Sequence, residues 1–475
     1  MTSDSDLIKD TAEELDEDKK SVQDNPLFGL QDAQVKAVTA LLDAGKDAKK
    51  PLQGLLDEMR NADIADLFAK LHTDQRENLI NQHGESFDPN VYAEIDHDLR
   101  PEIIDLLPTE QVANIVDELD SDDALDLIIS LEEERQDEII RQLSAKTRME
   151  LKEGLNFPED SAGRLMQREF VAIPQFWTVG KTIDYLRAAA EEIPDEFFDI
   201  FVITPTYHVA GEIPLSRLIK AKRSEKLESL TLDDIHAIPA DSDQEDVARI
   251  FRRENIASAP VVDDNGRLIG VVTVDDVIHV IDEEAEEDFL KLGGIEEDDL
   301  YRAVLSTTGS RFRWLFVNLL TAIFASMVIA LFETTIETVV ALAILMPIVA
   351  SMGGNAGTQA LTVAVRALST KELTRSNTMR IIWKETLVGF INGALFAILI
   401  GAAATLWFQD IMLGGVIAAA MIINLLIAGL FGAGIPIMLD RMGSDPAISS
   451  TVILTTATDV IGFFAFLGLA ALLLV

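Results

Sequence analysis

The chain has 475 residues, too many for one ordinary domain, and a formal net charge of −41. Residues 310–475 hold eight basic and eight acidic residues, so the whole excess of negative charge falls on residues 1–309. An acidic part of that size repels nucleic acid and anionic lipid and attracts cations, and the absence of cysteine excludes disulfides and cysteine-held metals.

Residues 1–50 are polar, with a charged run at 13–20 that reads as a mobile start or a solvated helix. The acidic beginning has no basic region and no apolar core, which predicts no cleaved secretory signal. Residues 51–160 read as helices: segments 62–71, 111–119, 124–131 and 135–143 repeat apolar residues at three- and four-residue spacing. Helix-start signals such as Pro108-Thr109-Glu110 and Ser121-Asp122-Asp123 separate them. Asp122 and Asp126 fall one turn apart, so their carboxylates share a face; a divalent cation and plain solvation both fit such a pair.

From 161 to 281 the pattern changes to short strands and helices, and it repeats. Phe201-Val202-Ile203 leads to Gly211-Glu212-Ile213 and then a helix; Pro260-Val261-Val262 leads through Asp264-Asn265-Gly266, a hairpin turn, to Gly270-Val271-Val272 and then a helix. Residues 282–309 follow as an acidic connecting helix, expected to break at Gly293-Gly294. Its crowded like charges would be relieved by a divalent cation; a solvated linker is the alternative.

Residues 310–475 contain five apolar stretches, near 314–332, 339–364, 387–407, 415–439 and 447–475. Each is long enough to cross roughly 30 Å of hydrocarbon as a helix. Arg302, Arg311 and Arg313, then Lys371, Arg375, Arg380 and Lys384, then Arg441 mark alternate loops. That alternation puts the N-terminal part in the cytoplasm and the C-terminus outside.

Asp459 is the acid deep inside a span, and such residues commonly mark an ion pathway. The other reading is a structural acid bonded to Asn424 or a neighbouring threonine. In the second stretch Pro347 precedes Gly353-Gly354-Asn355-Ala356-Gly357-Thr358-Gln359, which predicts a kinked and locally unwound helix whose carbonyls and amides face a cation; a packing seam of small residues is compatible with it. One carboxylate plus carbonyls and amides suits hydrated Mg2+, a hard ion that keeps its water. The missing His and Cys in these spans argue against a softer metal. A two-fold homodimer would bring two copies of Asp459 to one axis.

The second repeat resembles a CBS motif, and the two together a CBS pair. The order of helical stack, CBS pair, acidic helix and five spans resembles the MgtE family of magnesium channels. The residues that carry this best are Pro347 with 353–359, and Asp445-Pro446-Ala447 with Thr458-Asp459. The resemblance implies a multi-domain fold: an all-α cytosolic N domain, an α/β CBS pair, a plug helix and an α-helical membrane domain with five transmembrane helices. It implies a homodimer in the cytoplasmic membrane that contacts lipid and Mg2+ but no nucleic acid. Mg2+ would be both the transported and the regulatory ion. Asp459 and Thr455 would line the pore with Gly354 and Asn355, and Asp445 would sit beside the plug. Glu284, Glu287 and Asp288 on the plug, Asp243, Glu245 and Asp276 in the second CBS motif, and Asp122 and Asp126 of the N domain would bind regulatory Mg2+. Two residues depart from the family pattern. His279 replaces an acid, and Ser216-Arg217 stands in the first repeat where the second has Asp275-Asp276, so ATP binding at the CBS pair is left open.

The residues show no P-loop, no Gly-x-Ser-x-Gly and no clustered histidines, so an enzyme is not expected. The rival functions are a broader Mn2+ or Co2+ channel, a coupled secondary carrier, and a membrane-anchored sensor without transport.

Overall fold

The computed structural model describes residues 29–44, 48–191, 193–194, 196–232, 234–295, 304–374 and 376–475. The polar start with its run at 13–20, the acids Glu296, Glu297, Asp298 and Asp299, and the bases Arg302 and Arg375 lie outside the described residues. The chain divides into two compact units, one ending at Glu283 and the other beginning at Glu284.

The first unit begins as a stack of short helices. They are α1 (Asp32–Asp43), α2 (Lys49–Leu56), α3 (Asn61–Lys70), α4 (Thr73–His83), α5 (Pro89–Ala93), α6 (Arg100–Asp105), α7 (Thr109–Glu118), α8 (Ser121–Ile129), α9 (Glu133–Gln142), α10 (Ala145–Gly154) and α11 (Ala162–Leu165). Helices this short are not stable alone in water; packing of an apolar stripe holds them. On α7 that stripe is Val112, Ile115 and Val116, and on α8 it is Leu125, Leu127 and Ile128, all buried. Phe87 meets Phe68 and Tyr92 edge-on beneath them.

The strand–helix part follows as β1 (Ala172–Pro174), α12 (Val179–Ala188), β2 (Asp199–Ile203), β3 (Val209–Pro214) and α13 (Leu215–Lys220). Its second copy is β4 (Ile238–Pro239), α14 (Gln244–Glu254), β5 (Ser258–Val262), β6 (Leu268–Thr273) and α15 (Val274–Leu292). The repeat seen in the sequence is exact in topology. Each copy makes a three-stranded sheet in which the first strand runs parallel to the second and the second antiparallel to the third. Even the register shift recurs, between Val202 and Ile203 in one copy and Val261 and Val262 in the other. Phe201 and Ile203 of the first sheet pack with Leu268 and Val271 of the second, and Ser258 Oγ donates to Asp199 Oδ2 at 2.7 Å across them. In the β5–β6 turn Gly266 takes φ +75°, and Asp263 Oδ1 accepts from the Asn265 and Arg267 amides at 2.9 Å. Among the described residues α15 runs unbroken to Leu292, and Gly294 turns the chain after it with φ +75°.

The second unit contains α16 (Val304–Ala330), a short α17 (Glu333–Thr338), α18 (Ala341–Ser369), α19 (Thr378–Phe408), α20 (Ile411–Arg441) and α21 (Pro446–Leu473). Among the described residues five segments are long and apolar enough to cross a membrane: Thr307–Ala330, Ala341–Ser369, Thr378–Phe408, Ile411–Arg441 and Ser450–Leu473. Leu342, Leu345, Val349, Val416, Ile417, Phe466 and Leu467 form one core between them, and Leu361, Val365, Ile435, Leu439 and Leu454 another.

The unwinding expected in the second span is absent: α18 is helical throughout, Pro347 and the glycines included. Pro347 lies in the second turn, so its missing donor frees one carbonyl near the helix start. Unwound backbone deeper in hydrocarbon would leave several groups unsatisfied. The glycines serve close approach instead. A Cβ on Gly353 or on Gly462 would collide with the Asn424 amide, which fills the space between these two helices.

Candidate functional site

Asp459 stands midway along α21 and is half-buried. Among the described residues its carboxylate has no hydrogen-bond or ion-pair partner, while its neighbour Thr458 is buried and bonds the carbonyls of Leu454 and Thr455. Asn424, the alternative partner weighed above, is engaged elsewhere: its Nδ2 donates to the Val349 carbonyl at 2.7 Å.

Polar side chains extend this acid into two stripes. On α21, Thr451, Thr455 and Asp459 recur every fourth residue, and on α18 Ser351, Asn355, Thr358 and Thr362 follow helical spacing and are exposed in the single chain. Thr455 Oγ1 bonds the Thr451 carbonyl, and Asn355 Nδ2 approaches Ser351 Oγ at 3.4 Å. Gly354 joins the stripes, since a Cβ there would lie 3.9 Å from Thr455 Cγ2. The structure thus brings Gly354 and Thr455 together and sets Asn355 and Asp459 on the same two helices. A polar stripe facing hydrocarbon is costly, so this edge faces water or another copy of the chain.

At the N-terminus of α21, Asp445 Oδ1 caps the helix by accepting from the Ala447 amide at 2.7 Å. Its Oδ2 lies 2.9 Å from Lys291 Nζ, and the same ammonium pairs with Glu287 one turn earlier on α15. Burial alone would lower the Lys291 pKa, but the bonds to Glu287 and Asp445 outweigh it and hold the charge firmly. Glu287 and Asp445 are therefore brought together, through a lysine the sequence reading passed over. Glu284 and Asp288 lie on the same turns of α15 and are half-buried.

In the first unit the structure sorts the expected carboxylates. Asp122 on α8 feels the charge of Asp276 on α15: burial, then Asp276 and Asp123, push the Asp122 carboxyl well above the ordinary range. Burial, then Asp276, raises Asp123 to about 7, and burial raises Asp276 to about 6 despite its bond from Thr273 Oγ1. Asp126 does not join Asp122. Arg100 holds it at 2.6 Å and also donates to the carbonyls of Ala93 and Ile95. Asp243 caps α14 by accepting from the Glu245 amide at 2.9 Å. In the sequence Asp123 reads only as a helix-start residue, and Glu283 only as one of the crowded acids of the connecting helix. The Glu283 pKa is raised by burial and then by Asp126, a neighbour 157 positions away in sequence that no local pattern indicates.

Among the described residues no group of three or more His, Asp or Glu side chains forms a ready-made metal cage. A carboxylate raised by burial and then by a neighbouring acid, as Asp122 is by Asp276, fits a hard cation that keeps much of its own water and needs few protein oxygens.

Among the described residues, five apolar spans with an acid that has no protein partner in a polar stripe, joined to acidic helical and CBS-type parts, define a multi-pass membrane protein built to handle cations. Family models agree. One described as a divalent cation transporter, MgtE, matches residues 346–469; the MgtE intracellular N domain matches 59–160, and the CBS domain 227–283. The chain is 35% identical over 338 residues to the magnesium transporter MgtE of Thermus thermophilus, covering 70% of this chain and 74% of that one. It is 34% identical over 317 residues to the magnesium transporter MgtE of Bacillus subtilis, covering 66% and 70%. A solved cytosolic domain of the Mg2+ channel MgtE, in complex with ATP, is 28% identical, with 51% of this chain and 97% of that one covered and a TM-score of 0.47. The chain belongs to the MgtE family; its members are transporters, not enzymes.

Proposed function

We propose that this chain is a Mg2+-selective channel that imports Mg2+ across the cytoplasmic membrane and closes when cytosolic Mg2+ is high. The observation that carries the reading is Asp459, an acid within a span, half-buried and without a protein partner among the described residues, on a stripe shared with Thr455, Gly354 and Asn355. The magnesium transporters it resembles support the choice of ion. The exposed polar edge supports a homodimer, in which two chains face one aqueous path. The basic loops support a cytoplasmic N-terminus and an outer C-terminus, so Mg2+ would enter along the membrane potential, about 2.3 kcal/mol per charge per 100 mV.

Closure is assigned to the acids. Asp122, Asp276 and their neighbour Asp123 repel one another, and bound Mg2+ would relieve this in one conformation more than another, as an effector must. Glu284, Glu287 and Asp288 extend the acidic surface along α15, with Asp126, Asp243 and Glu245 as further candidates. The test is recording from the purified chain in lipid with Mg2+ varied on the cytoplasmic face. Inward Mg2+ current that falls as cytosolic Mg2+ rises is expected; equal currents of Mn2+ or Co2+ would favour the broader channel, and no current at all would favour the anchored sensor.

A further inference from the structure

We propose that Lys291 is a positioning residue of the gate: an internal cation that seats the end of α15 against the start of α21 without any metal ion. The proposal deepens the gated-channel reading above and rests on it. Lys291 Nζ bridges two carboxylates, Glu287 on its own helix and Asp445 at 2.9 Å on the first residue before α21. The Lys291 side chain is 16% exposed, whereas Glu287 is 46% and Asp445 38% exposed, so the ammonium is shielded while the two carboxylates keep contact with water. Asp445 is itself held, since its other oxygen caps α21.

Neighbouring contacts converge on the same seat. Leu292 packs against the core that Leu361, Val365, Leu439 and Leu454 help form, its carbonyl accepts from Thr451 Oγ1 at 3.5 Å, and Gly294 turns the chain beside Trp314. Thr451 opens the polar stripe that leads to Asp459. A change in the seat therefore reaches the helix that carries the pore acid.

The charges give the seat a distinct function. Without Lys291, Glu287 and Asp445 would repel each other, and only an added cation could hold them together. One ammonium between two carboxylates leaves a single negative charge, so the contact stands without Mg2+ and still accepts a cation. Lys291 thus sets how far the gate opens when cytosolic Mg2+ is low, whereas the acids elsewhere set its response to Mg2+.

The test uses the full chain in lipid, with Lys291→Met, Lys291→Arg, Asp445→Asn and the Met–Asn double variant. Asparagine keeps the helix cap while removing the charge. The first readout, independent of transport, is amide hydrogen exchange of residues 284–292 in Mg2+-free buffer. Exchange about tenfold faster is expected for Lys291→Met and for Asp445→Asn, near-normal exchange for Lys291→Arg, and no further increase in the double variant. The second readout is current against cytosolic Mg2+. Lys291→Met is expected to raise current at low Mg2+ and to close fully at saturating Mg2+. Unchanged exchange in Lys291→Met, or effects of Met and Asn that simply add, overturns the seat. Faster exchange with an unchanged Mg2+ response overturns its part in gating. If every variant and the parent carry no Mg2+ current, the channel reading fails, and the exchange data still decide the seat.

Discussion

Asn424 Nδ2 donates to the Val349 carbonyl at 2.7 Å, which ties the fourth span to the second between two glycines, Gly353 and Gly462, that leave room for the amide. Asn424 is fully buried and among the described residues its Oδ1 has no hydrogen-bond partner, so the side chain is committed to this one bond. Asn424→Ala is expected to destabilise the membrane unit by about 1–3 kcal/mol through the lost bond and the hole left behind. Gly353→Ala forces a methyl group into the amide and is expected to cost about 1–3 kcal/mol. Thermal unfolding of the detergent-solubilised chain measures both, and an unchanged midpoint in either would contradict the clasp.

Arg100 is the corresponding device in the helical stack. It is buried and donates to Asp126, Ala93 and Ile95. Arg100→Met keeps most of the apolar stem but strands the carbonyls of Ala93 and Ile95, while Asp126, whose side chain is 57% exposed, is left to water. A loss of about 1–3 kcal/mol, the usual cost of leaving buried polar groups unsatisfied, is expected in denaturant unfolding.

Glu212 on β3 is 2% exposed, and among the described residues its Oε2 has no hydrogen-bond partner. Burial, then Asp199, raises its carboxyl from 4.5 to about 7. The folded chain therefore binds this proton more tightly than the unfolded chain. The resulting stability is complete below about pH 4.5 and is lost as pH rises towards 7, by at most about 3 kcal/mol. Glu212→Gln should remove that slope and raise the melting temperature at pH 8 more than at pH 5. A parallel pH dependence in both chains would show that Glu212 is not its source.

Asp123 near 7 and Asp276 near 6 make the cation response of the first unit sensitive to protons. Mg2+ must displace those protons, so the cytosolic Mg2+ needed for half-closure should rise as pH falls from 8 to 6, by up to roughly tenfold per pH unit for each proton displaced. Asp123→Asn should flatten this dependence. The measurement is the Mg2+ inhibition curve at the two pH values.

The large architecture was legible because each part has a period of its own. Twenty-residue apolar runs mark the spans, and a strand–turn–strand repeat with Asp264-Asn265-Gly266 marks the paired sheets, though not the register shift that both share. Single residues were legible where their cost is local: an acid such as Asp459 stands out against hydrocarbon whatever its neighbours are. Residues whose meaning depends on distant partners were not. Asp126 looks like a companion of Asp122 along one helix, yet Arg100, 26 positions earlier, takes it. Lys291 reads as one more charge on an acidic helix until Asp445, more than 150 positions on, appears beside it. Gly353 and Gly357 suggested unwinding, because a sequence gives the freedom of glycine without the neighbour that uses it.

The central claim is that Asp459 serves a passing ion. Asp459→Asn keeps the size and polarity of the side chain and removes its charge, so the fold and the span packing should survive. Mg2+ uptake into vesicles holding an inside-negative potential measures the consequence. At least a hundredfold loss of uptake, with unfolding and oligomeric state as in the parent chain, is the expected result, of the order of removing about 3 kcal/mol of ion stabilisation. Uptake at the parent rate would contradict the account.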